Sequence, residues 1–387
     1  MDEINLLIPG PTPLPPRVLQ AMGREMTNHR GPTFGRIMAE ILDGLKDVFR
    51  TRNDIIPLVC SGTGGLEAAV VNFLSPGDRV LSVNNGYFCE RFAEIAERFG
   101  ARVDRVLAEW GRPVPLDAIA GRLRADAGRD YRAVFVTQSE TSTGVHNDVK
   151  AIRALLGDHP ALLMVDAVSS LGAIPLETDA WGVDVAVTGS QKALMSPPGM
   201  AFISVSDRAW AAADRASTPR FYLDLRRGRV EIHRQPPGTA FTTAVTVAYA
   251  VHEALRLIRE EGLDRVFERH RQMARMVRAG VRGMGLRTLT EDTWAVDTVT
   301  PALTPDGVDA VTVGTHARER YGVLFGRGIG SLEHTAIRIG HLGYTQSAML
   351  LAGLETLGRT LNDLGARAAT DAGLEAARQT LRAPAKR

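Results

Sequence analysis

The chain has 387 residues, of which 44% are hydrophobic and 23% charged, and its formal net charge is +2. This length and composition are typical of a folded globular protein with one large core and room for a smaller second domain. The balanced charge argues against nucleic acid or a membrane surface as the partner, so small molecules are the expected ligands.

The sequence predicts a cytoplasmic protein without a metal centre. Cys60 and Cys89 are too few for a disulfide framework, and no Cys/His spacing of the metal-binding kind occurs. The N-terminus breaks at Pro9 and lacks the basic start and apolar core of a signal peptide. No apolar run reaches the ~18 residues that a membrane span requires.

Strands and helices are predicted to alternate through the first part of the chain. Short apolar runs indicate strands at DIIPLVC (54–60), RVLSVNN (79–85), ARVDRVLA (101–108), AVFVTQSE (133–140) and ALLMVD (161–166). Helically spaced apolar residues indicate helices at 63–74, 87–100, 116–123 and 149–156. This alternation predicts an α/β fold with a mostly parallel sheet covered by helices, in which ligands bind beyond the carboxyl ends of the strands.

The pattern changes after the predicted strand MAFISVS (200–206). A polar stretch (219–241) is followed by long helices from about residue 244 to residue 280. Three more strands are predicted at 292–303, 321–328 and 334–342, with helices near 308–320 and 346–364. These elements predict a smaller C-terminal α/β domain, and the Ala-rich, basic tail is expected to be helical or frayed.

A small-residue turn, Ser61-Gly62-Thr63-Gly64-Gly65, joins the first of these strands to its helix. Free backbone N–H groups and the positive end of the helix dipole bind a phosphate well at such a place. The run does not match G-x-G-x-x-G, because Glu67 holds the third glycine position, and it is not a P-loop. A glycine turn capped by Thr63 is the alternative interpretation.

Two ionisable side chains follow consecutive apolar strands. Asp166 ends ALLMVD, where a carboxylate is costly unless it has a cationic or hydrogen-bonded partner. Lys192 follows the next strand, VDVAVTG (183–189). Taken singly, Asp166 can be a turn cap, and Lys192 can be a pocket wall or an ion-pair partner. Since both follow strands of one sheet, they are expected at the same edge as Ser61.

A lysine, an acid and an anion-binding helix start are the groups that pyridoxal 5'-phosphate requires. Its aldehyde reacts with a lysine amine, its ring nitrogen stays protonated beside a carboxylate, and its phosphate binds at a helix N-terminus. Lys192, Asp166 and Ser61 to Thr63 are the candidates, in that order. The sequence therefore predicts a pyridoxal-phosphate site in which Lys192 bears the cofactor.

Several motifs occur in a characteristic order over most of the chain: LLIPGPTPLPPRV, SGTGGLEAAV, NGYFCERF, SETSTGV, VDAVSSLG, GSQKALMSPPG, FYLDL and IRIGHLG. Together they resemble the class V aminotransferase family of pyridoxal-phosphate fold type I, and within it the alanine/serine-glyoxylate aminotransferase group. The resemblance implies a homodimer with active sites at the subunit interface. It also implies a large cofactor-binding domain (21–260) and a small C-terminal domain (261–387), with which an N-terminal segment (1–20) packs.

The resemblance implies that further residues contact the cofactor: Gly62, Thr63 and Gln191 at the phosphate, Phe88 and Val168 on the two ring faces, Thr141 near the ring oxygen, and Thr242 at the neighbouring subunit's phosphate. Phe88 stands where tryptophan is often found, and this aromatic replacement leaves stacking intact. A core aromatic on an amphipathic helix is the alternative for Phe88. Near Thr239 some relatives carry a tyrosine that reaches the neighbouring phosphate, and threonine is shorter.

Arg338 lies in an apolar strand of the predicted small domain, within AIRIGHLG. An arginine there is costly unless it meets an anion, and its planar fork suits a bidentate carboxylate. The resemblance implies that Arg338 binds the substrate α-carboxylate, and a structural ion pair is the alternative. His341 is more simply interpreted as a hydrogen-bonded core residue.

The resemblance implies a transaminase that moves the amino group of a small α-amino acid, of alanine or serine type, to glyoxylate or pyruvate by a ping-pong mechanism. A 2-aminoethylphosphonate-type aminotransferase is one alternative, with Arg30 or Arg327 as the phosphonate ligand. A fold type I lyase such as a cysteine desulfurase is another, although Phe88 occupies the ring position and no cysteine follows Cys89. A dinucleotide-binding dehydrogenase or a non-catalytic binding module remains the third class. The sequence does not identify the amino donor.

Overall fold

The computed structural model describes residues 5–382. The strands, in chain order, are β1 Asn5–Leu7, β2 Asp54–Leu58, β3 Arg79–Asn84, β4 Arg102–Leu107, β5 Tyr131–Thr137, β6 Ser139–Glu140, β7 Val145–His146, β8 Leu162–Asp166, β9 Val185–Gly189, β10 Ala201–Val205, β11 Arg287–Thr288, β12 Val299–Leu303, β13 Val323–Arg327 and β14 Ala336–Gly340. The helices are α1 Pro16–Met22, α2 Pro32–Phe49, α3 Gly62–Phe73, α4 Tyr87–Arg98, α5 Leu116–Ala125, α6 Val149–Leu156, α7 Asp207–Ala213, α8 Leu225–Ile232, α9 Val245–Glu261, α10 Leu263–Gly283, α11 Ala310–Tyr321, α12 Ser347–Asp363 and α13 Thr370–Arg382.

Seven strands form the larger sheet, in the order β2-β10-β9-β8-β5-β3-β4. Strand β10 is antiparallel to both of its neighbours, and the other neighbouring strands are parallel. The predicted α/β fold with a mostly parallel sheet is therefore confirmed. Because β5, β8 and β9 are parallel neighbours, the residues that follow them meet at one edge of the sheet.

Both faces of the larger sheet are buried under helices. Val134 and Val136 of β5 belong to one apolar cluster, with α2, α5, α6 and α9, whereas Ala133 and Phe135 belong to another, with α3, α4 and α7. Successive side chains of a strand point to opposite faces of the sheet. A strand between two helix layers therefore buries both of its faces, which explains the nearly continuous apolar runs in the sequence.

A second, five-stranded sheet has the order β1-β13-β14-β12-β11. Strand β1 pairs in parallel with β13, although more than 300 residues separate them in the chain, and the other pairs are antiparallel. Apolar side chains of α10 to α13 cover this sheet. The boundaries of the three predicted parts, after residues 20 and 260, remain predictions.

The sequence analysis did not predict helices α1, α2 and α7, and two of its predicted segments differ from the structure. The stretch 219–241 contains helix α8, which begins because the Asp224 side chain accepts a hydrogen bond from the Arg226 N–H at 3.2 Å. The strand predicted at 292–303 is confined to β12. The tail is helical as far as Arg382, where α13 ends, in agreement with the prediction of a helical or frayed tail, and residues 383–387 lie outside the described residues.

Helix α13 lies very close to α10. A β-carbon on Gly283 would be only 2.9 Å from the Cα of Gly373, so glycine is required for the two backbones to approach this closely. Within residues 5–382, no helix combines the length and the apolar character needed to cross a bilayer.

Candidate active site

Lys192 lies in the loop that leaves β9, at the edge of the larger sheet. Its side chain extends beneath the N-terminal segment, and its Nζ donates a hydrogen bond to the carbonyl oxygen of Pro9 at 2.5 Å. Burial and, to a smaller extent, the nearby positive charge of Arg338 lower the pKa of Lys192, the carboxylate of Asp166 opposes them, and the net pKa is about 8. A substantial fraction of this amine is therefore neutral near physiological pH.

Asp166 is the last residue of β8, the strand next to β9, and only 5% of it is exposed. One carboxylate oxygen accepts the backbone N–H of Val168 at 2.9 Å, and the other accepts the Thr137 hydroxyl at 3.5 Å. No lysine or arginine nitrogen lies within 4.0 Å of it in the described part of the chain. Burial is the main reason that its pKa is raised to about 6. A cation beside Asp166 would lower this pKa again and keep the carboxylate ionised.

Helix α3 points its N-terminus at the same edge of the sheet. Its N-cap is Ser61, whose side chain accepts the N–H of Gly64 at 3.3 Å, so the capping role proposed for Thr63 belongs to Ser61. The N–H groups of Gly62 and Thr63 lie in the first turn, where a helix has no acceptors of its own. A β-carbon on Gly62 would be 2.7 Å from Val168, so glycine lets the helix start approach the segment after Asp166.

Phe88 lies at the start of α4, which a buried acid holds in place. The N–H groups of Phe88 and Cys89 donate to one carboxylate oxygen of Glu140 at 2.9 and 2.8 Å, and Glu140 is 0% exposed. Gly86, the N-cap, has no side chain to accept these bonds, and a β-carbon there would be 2.4 Å from Glu140. Sequence reasoning missed Glu140, although it is the last residue of the predicted strand AVFVTQSE.

A cavity of about 110 Å³ brings most of the predicted residues together. Eight of them line it: Ser61, Gly62, Thr63, Phe88, Asp166, Val168, Gln191 and Lys192. Arg91, which sequence reasoning did not select, also lines the cavity. The amide oxygen of Gln191 is buried without a hydrogen-bond partner, so this side chain has polar capacity to offer a ligand.

Arg338 lies on β14 beside this cavity and is 9% exposed. Its Nε donates to the carbonyl oxygen of Arg327 at 2.6 Å, and its Nη1 donates to that of Thr141 at 3.2 Å. Within residues 5–382, no carboxylate lies within 4.0 Å of Arg338, so the structural ion pair is not formed there. Burial lowers the pKa of Arg338 to about 10. Thr141 thus orients Arg338 through its backbone.

Thr242 is not part of the cavity of this chain. It is exposed in the loop before α9, next to Phe241 and Thr243. The hydroxyl of Thr239 is used within the same loop, where it donates to the carbonyl oxygen of Phe241 at 2.8 Å. A role for Thr242 at a phosphate therefore requires a second subunit.

The remaining candidates also lie outside the cavity. Arg30 lines a separate groove with His29 and Thr239, and Arg327 is exposed while its carbonyl oxygen holds Arg338. His341 is a hydrogen-bonded core residue: its Nε2 pairs with the Thr300 hydroxyl at 2.9 Å. Burial places the pKa of His341 well below its usual range.

Comparison with known proteins identifies the family. Residues 4–332 match the family described as Aminotransferase class-V. The chain belongs to the class V aminotransferases. The resemblance seen in the sequence motifs is thereby confirmed, and the chain is an aminotransferase of fold type I.

Two relatives and one solved structure illustrate the similarity. The chain is 39% identical over 382 residues to the L-aspartate–glyoxylate aminotransferase of Paracoccus denitrificans, with 97% of this chain and 96% of that one covered. It is also 39% identical over 365 residues to the soluble hydrogenase 42 kDa subunit of Anabaena cylindrica, with 94% of each covered. The ureidoglycine-glyoxylate aminotransferase of Bacillus subtilis superposes with a TM-score of 0.94 at 30% identity, covering 99% of both chains.

Proposed function

We propose that this class V aminotransferase uses pyridoxal 5'-phosphate to move the amino group of a small α-amino acid, such as alanine or serine, to glyoxylate or pyruvate. We further propose that the reaction follows a ping-pong mechanism and that the protein is a cytoplasmic homodimer. The observation that carries it is one cavity in which Lys192, Asp166 and the N-terminus of α3 meet.

The residues of the cavity fit this cofactor. Lys192 offers an amine whose pKa, lowered to about 8 by burial, leaves it reactive toward an aldehyde. Asp166 is a buried carboxylate without a cationic partner in the described residues, which suits a protonated ring nitrogen. Ser61, Gly62 and Thr63 offer a helix N-terminus for a phosphate, and Gln191 lines the same cavity with an amide NH2 that can donate to one.

When bound, this cofactor supplies an electron-withdrawing ring that stabilises negative charge at the substrate α-carbon. In our proposal, the Nζ of Lys192, as a neutral amine, would take the α-proton from the substrate and pass it to the carbon of the cofactor's former aldehyde group. Asp166 would keep the ring nitrogen protonated. Phe88 and Val168 would contact the two faces of the ring, and Thr141 would hydrogen-bond near its oxygen.

Arg338 is the proposed ligand of the substrate carboxylate. Two of its nitrogens are fixed by the carbonyl oxygens of Arg327 and Thr141, and its Nη2 has no acceptor in the described residues. The absence of a carboxylate within 4.0 Å across residues 5–382 supports an anionic ligand, because a buried guanidinium without a counter-ion is costly.

Exposed aromatic residues support the proposed homodimer. Phe221 is 66% exposed and Tyr222 is 44% exposed, and the ring of Tyr222 stacks on Phe241 with centroids 5.0 Å apart. This aromatic surface adjoins Thr242, the residue proposed to reach the phosphate of the neighbouring subunit. Large apolar groups exposed together are typical of protein interfaces.

The choice of glyoxylate rests on the names of two relatives. The Paracoccus and Bacillus enzymes differ in the amino donor in their names but share glyoxylate. The hydrogenase name of the Anabaena relative describes that protein. In our proposal, Arg338 binds the carboxylate that every substrate carries, and other residues select the amino donor. Relatives with the same acceptor and different donors are then expected.

The proposal is tested with purified protein and added pyridoxal 5'-phosphate. We expect a visible absorption band of the bound cofactor, its bleaching by alanine or serine without any acceptor, and its recovery on addition of glyoxylate or pyruvate. A panel of α-amino acids and 2-aminoethylphosphonate then ranks the donors. A protein that binds no cofactor, or whose band responds only to the phosphonate, would contradict the proposal.

A further inference from the structure

Arg91 lies on α4, one turn after Phe88, and lines the cavity of Lys192 and Asp166. Its guanidinium carbon is 5.0 Å from the ring centroid of Tyr87 and 5.0 Å from that of Phe88. The two rings meet edge to face, with centroids 5.5 Å apart. Cation–π contact with two aromatic faces holds the planar group in one place.

A hydrogen bond links Arg91 to the first turn of the neighbouring helix α3. Its Nη1 donates to the hydroxyl oxygen of Thr63 at 3.3 Å. Thr63 is one of the residues whose N–H groups face the cavity without intrahelical acceptors. The guanidinium therefore lies beside the end of α3 that already carries the positive end of the helix dipole.

The charge of Arg91 is not balanced by a neighbouring acid. Among the described residues, no carboxylate oxygen lies within 4.0 Å of it. By contrast, Arg105 on the adjacent strand β4 forms ion pairs with Glu90 at 2.6 Å and with Glu97 at 2.7 Å. The positive charge of Arg91 also reaches the reactive groups, because it lowers the pKa of both Lys192 and Asp166.

We infer that Arg91 is a further cofactor-binding residue, which supplies positive charge to the phosphate bound at Ser61, Gly62 and Thr63. The inference rests on the proposed use of pyridoxal 5'-phosphate. The unpaired guanidinium and the positive end of the α3 dipole lie side by side, so this place binds an anion in preference to a neutral ligand. The phosphate of the cofactor is such an anion. The stack with Tyr87 and Phe88 holds the guanidinium in place in the free protein, so little ordering is needed when the phosphate binds.

The experiment compares two ligands that differ only in the phosphate. The cofactor-free protein is titrated with pyridoxal 5'-phosphate and with pyridoxal, and the absorbance of the bound form gives each Kd. Arg91→Gln removes the charge, and Arg91→Lys keeps the charge but not the planar fork. Arg98→Gln is the matched control, because Arg98 is exposed on the same helix and has no ion pair in the described part of the chain.

We expect Arg91→Gln to weaken pyridoxal 5'-phosphate binding about tenfold or more, which is the effect of one charge-assisted contact. The Kd for pyridoxal should change by less than about twofold, and Arg91→Lys should lie between wild type and Arg91→Gln. Inorganic phosphate should compete with the cofactor less well in Arg91→Gln than in wild type. Arg98→Gln should behave as wild type.

Two results would overturn this inference while leaving the proposed function intact. One is an unchanged Kd for pyridoxal 5'-phosphate in Arg91→Gln. The other is an equal loss for both ligands, which would make Arg91 a positioning residue for the Phe88 ring alone. Failure of the wild-type protein to bind pyridoxal 5'-phosphate would instead overturn the proposed function, and this inference with it.

Discussion

The amine of Lys192 and the carbonyl oxygen of Pro9 are hydrogen-bonded at 2.5 Å, so the N-terminal segment crosses directly over the lysine of the cavity. Pro9 follows β1, which belongs to the smaller sheet, whereas Lys192 leaves the larger sheet. The segment is tightly packed there, because a β-carbon on Gly340 would be 2.2 Å from the carbonyl oxygen of Ile8. The N-terminal segment thus joins the smaller sheet to the reactive lysine.

Gly10 tests this contact. Its φ is +118°, and a β-carbon there would be 2.5 Å from Cδ of Lys192. Gly10→Ala should slow cofactor binding, because the lysine side chain must move and the backbone is strained. The control is Gly77→Ala, where φ is +88° and nothing lies within 4 Å of the added carbon. It should lower the melting temperature but leave the rate of cofactor binding unchanged, and equal effects of both variants on that rate would contradict the prediction.

Lys192→Ala should abolish both the visible absorption of the bound cofactor and transamination. The fold should survive, since the side chain contributes a single hydrogen bond, to Pro9. Borohydride reduction of the wild-type complex followed by peptide mapping identifies the modified lysine. A label on Lys46 or Lys150 in place of Lys192 would show that the assignment is wrong.

The sequence predicted those parts of the cavity that follow from strand order. Asp166 and Lys192 end or follow neighbouring parallel strands, so the geometry of a parallel sheet places them at one edge. Arg91 escaped notice because a charged residue on a predicted amphipathic helix normally faces solvent. Glu140 escaped notice because it caps a helix that begins 53 residues earlier in the chain, with Tyr87.

Other contacts depend on chain parts that are distant in sequence. The bond between Lys192 and Pro9 spans 183 positions, and no local pattern encodes it. Thr242 lies outside the cavity of its own chain, and its proposed contact is with the phosphate in a neighbouring subunit. Such relationships require the tertiary packing of two sheets or a second subunit.

Cofactor binding should depend on pH through Lys192, which reacts as a neutral amine. Its pKa of about 8 predicts a rate that rises with pH and levels off above about pH 8. Arg338 lowers this pKa and Asp166 raises it. Arg338→Met should therefore move the midpoint to higher pH, and Asp166→Asn should move it to lower pH.

The measurement for this prediction is the initial rate of absorbance change on mixing cofactor-free protein with pyridoxal 5'-phosphate between about pH 6 and pH 10, a range that brackets the shifted lysine. Arg98→Gln, which alters an exposed arginine, should keep the wild-type midpoint. Midpoints that move in the same direction in both test variants would contradict the electrostatic assignment.

Asp166→Asn should slow removal of the substrate α-proton by orders of magnitude while the cofactor still binds. The neutral amide cannot hold the ring nitrogen protonated, so the ring becomes a weaker electron sink. Single-turnover absorbance with alanine measures this step. Asp184→Asn is the control for loss of a buried acid, because Asp184 is 2% exposed and bonds the N–H of Leu163 at 2.9 Å. It should lower stability alone, and a normal proton-transfer rate in Asp166→Asn would mean that another residue holds the ring.

The substrate class is tested by Arg338→Lys, which keeps the positive charge and removes the planar fork. If Arg338 binds the carboxylate of both donor and acceptor, both half-reactions should lose roughly 2 kcal/mol or more of transition-state stabilisation. Stopped-flow absorbance with alanine or serine measures one half-reaction, and glyoxylate or pyruvate measures the other. Arg278→Lys is the control, because Arg278 is a comparably buried arginine that pairs with Asp292 at 2.9 Å.

The two half-reactions also separate the amino-acid donor from the phosphonate alternative. A donor without a carboxylate does not need the fork of Arg338, so only the oxo-acid half-reaction would then slow in Arg338→Lys. Equal losses with the amino acid and the oxo acid are expected, because both carry a carboxylate next to the reacting carbon. An unaffected amino-acid half-reaction would show that Arg338 does not bind the donor, and the argument for a small α-amino acid as substrate would fail with it.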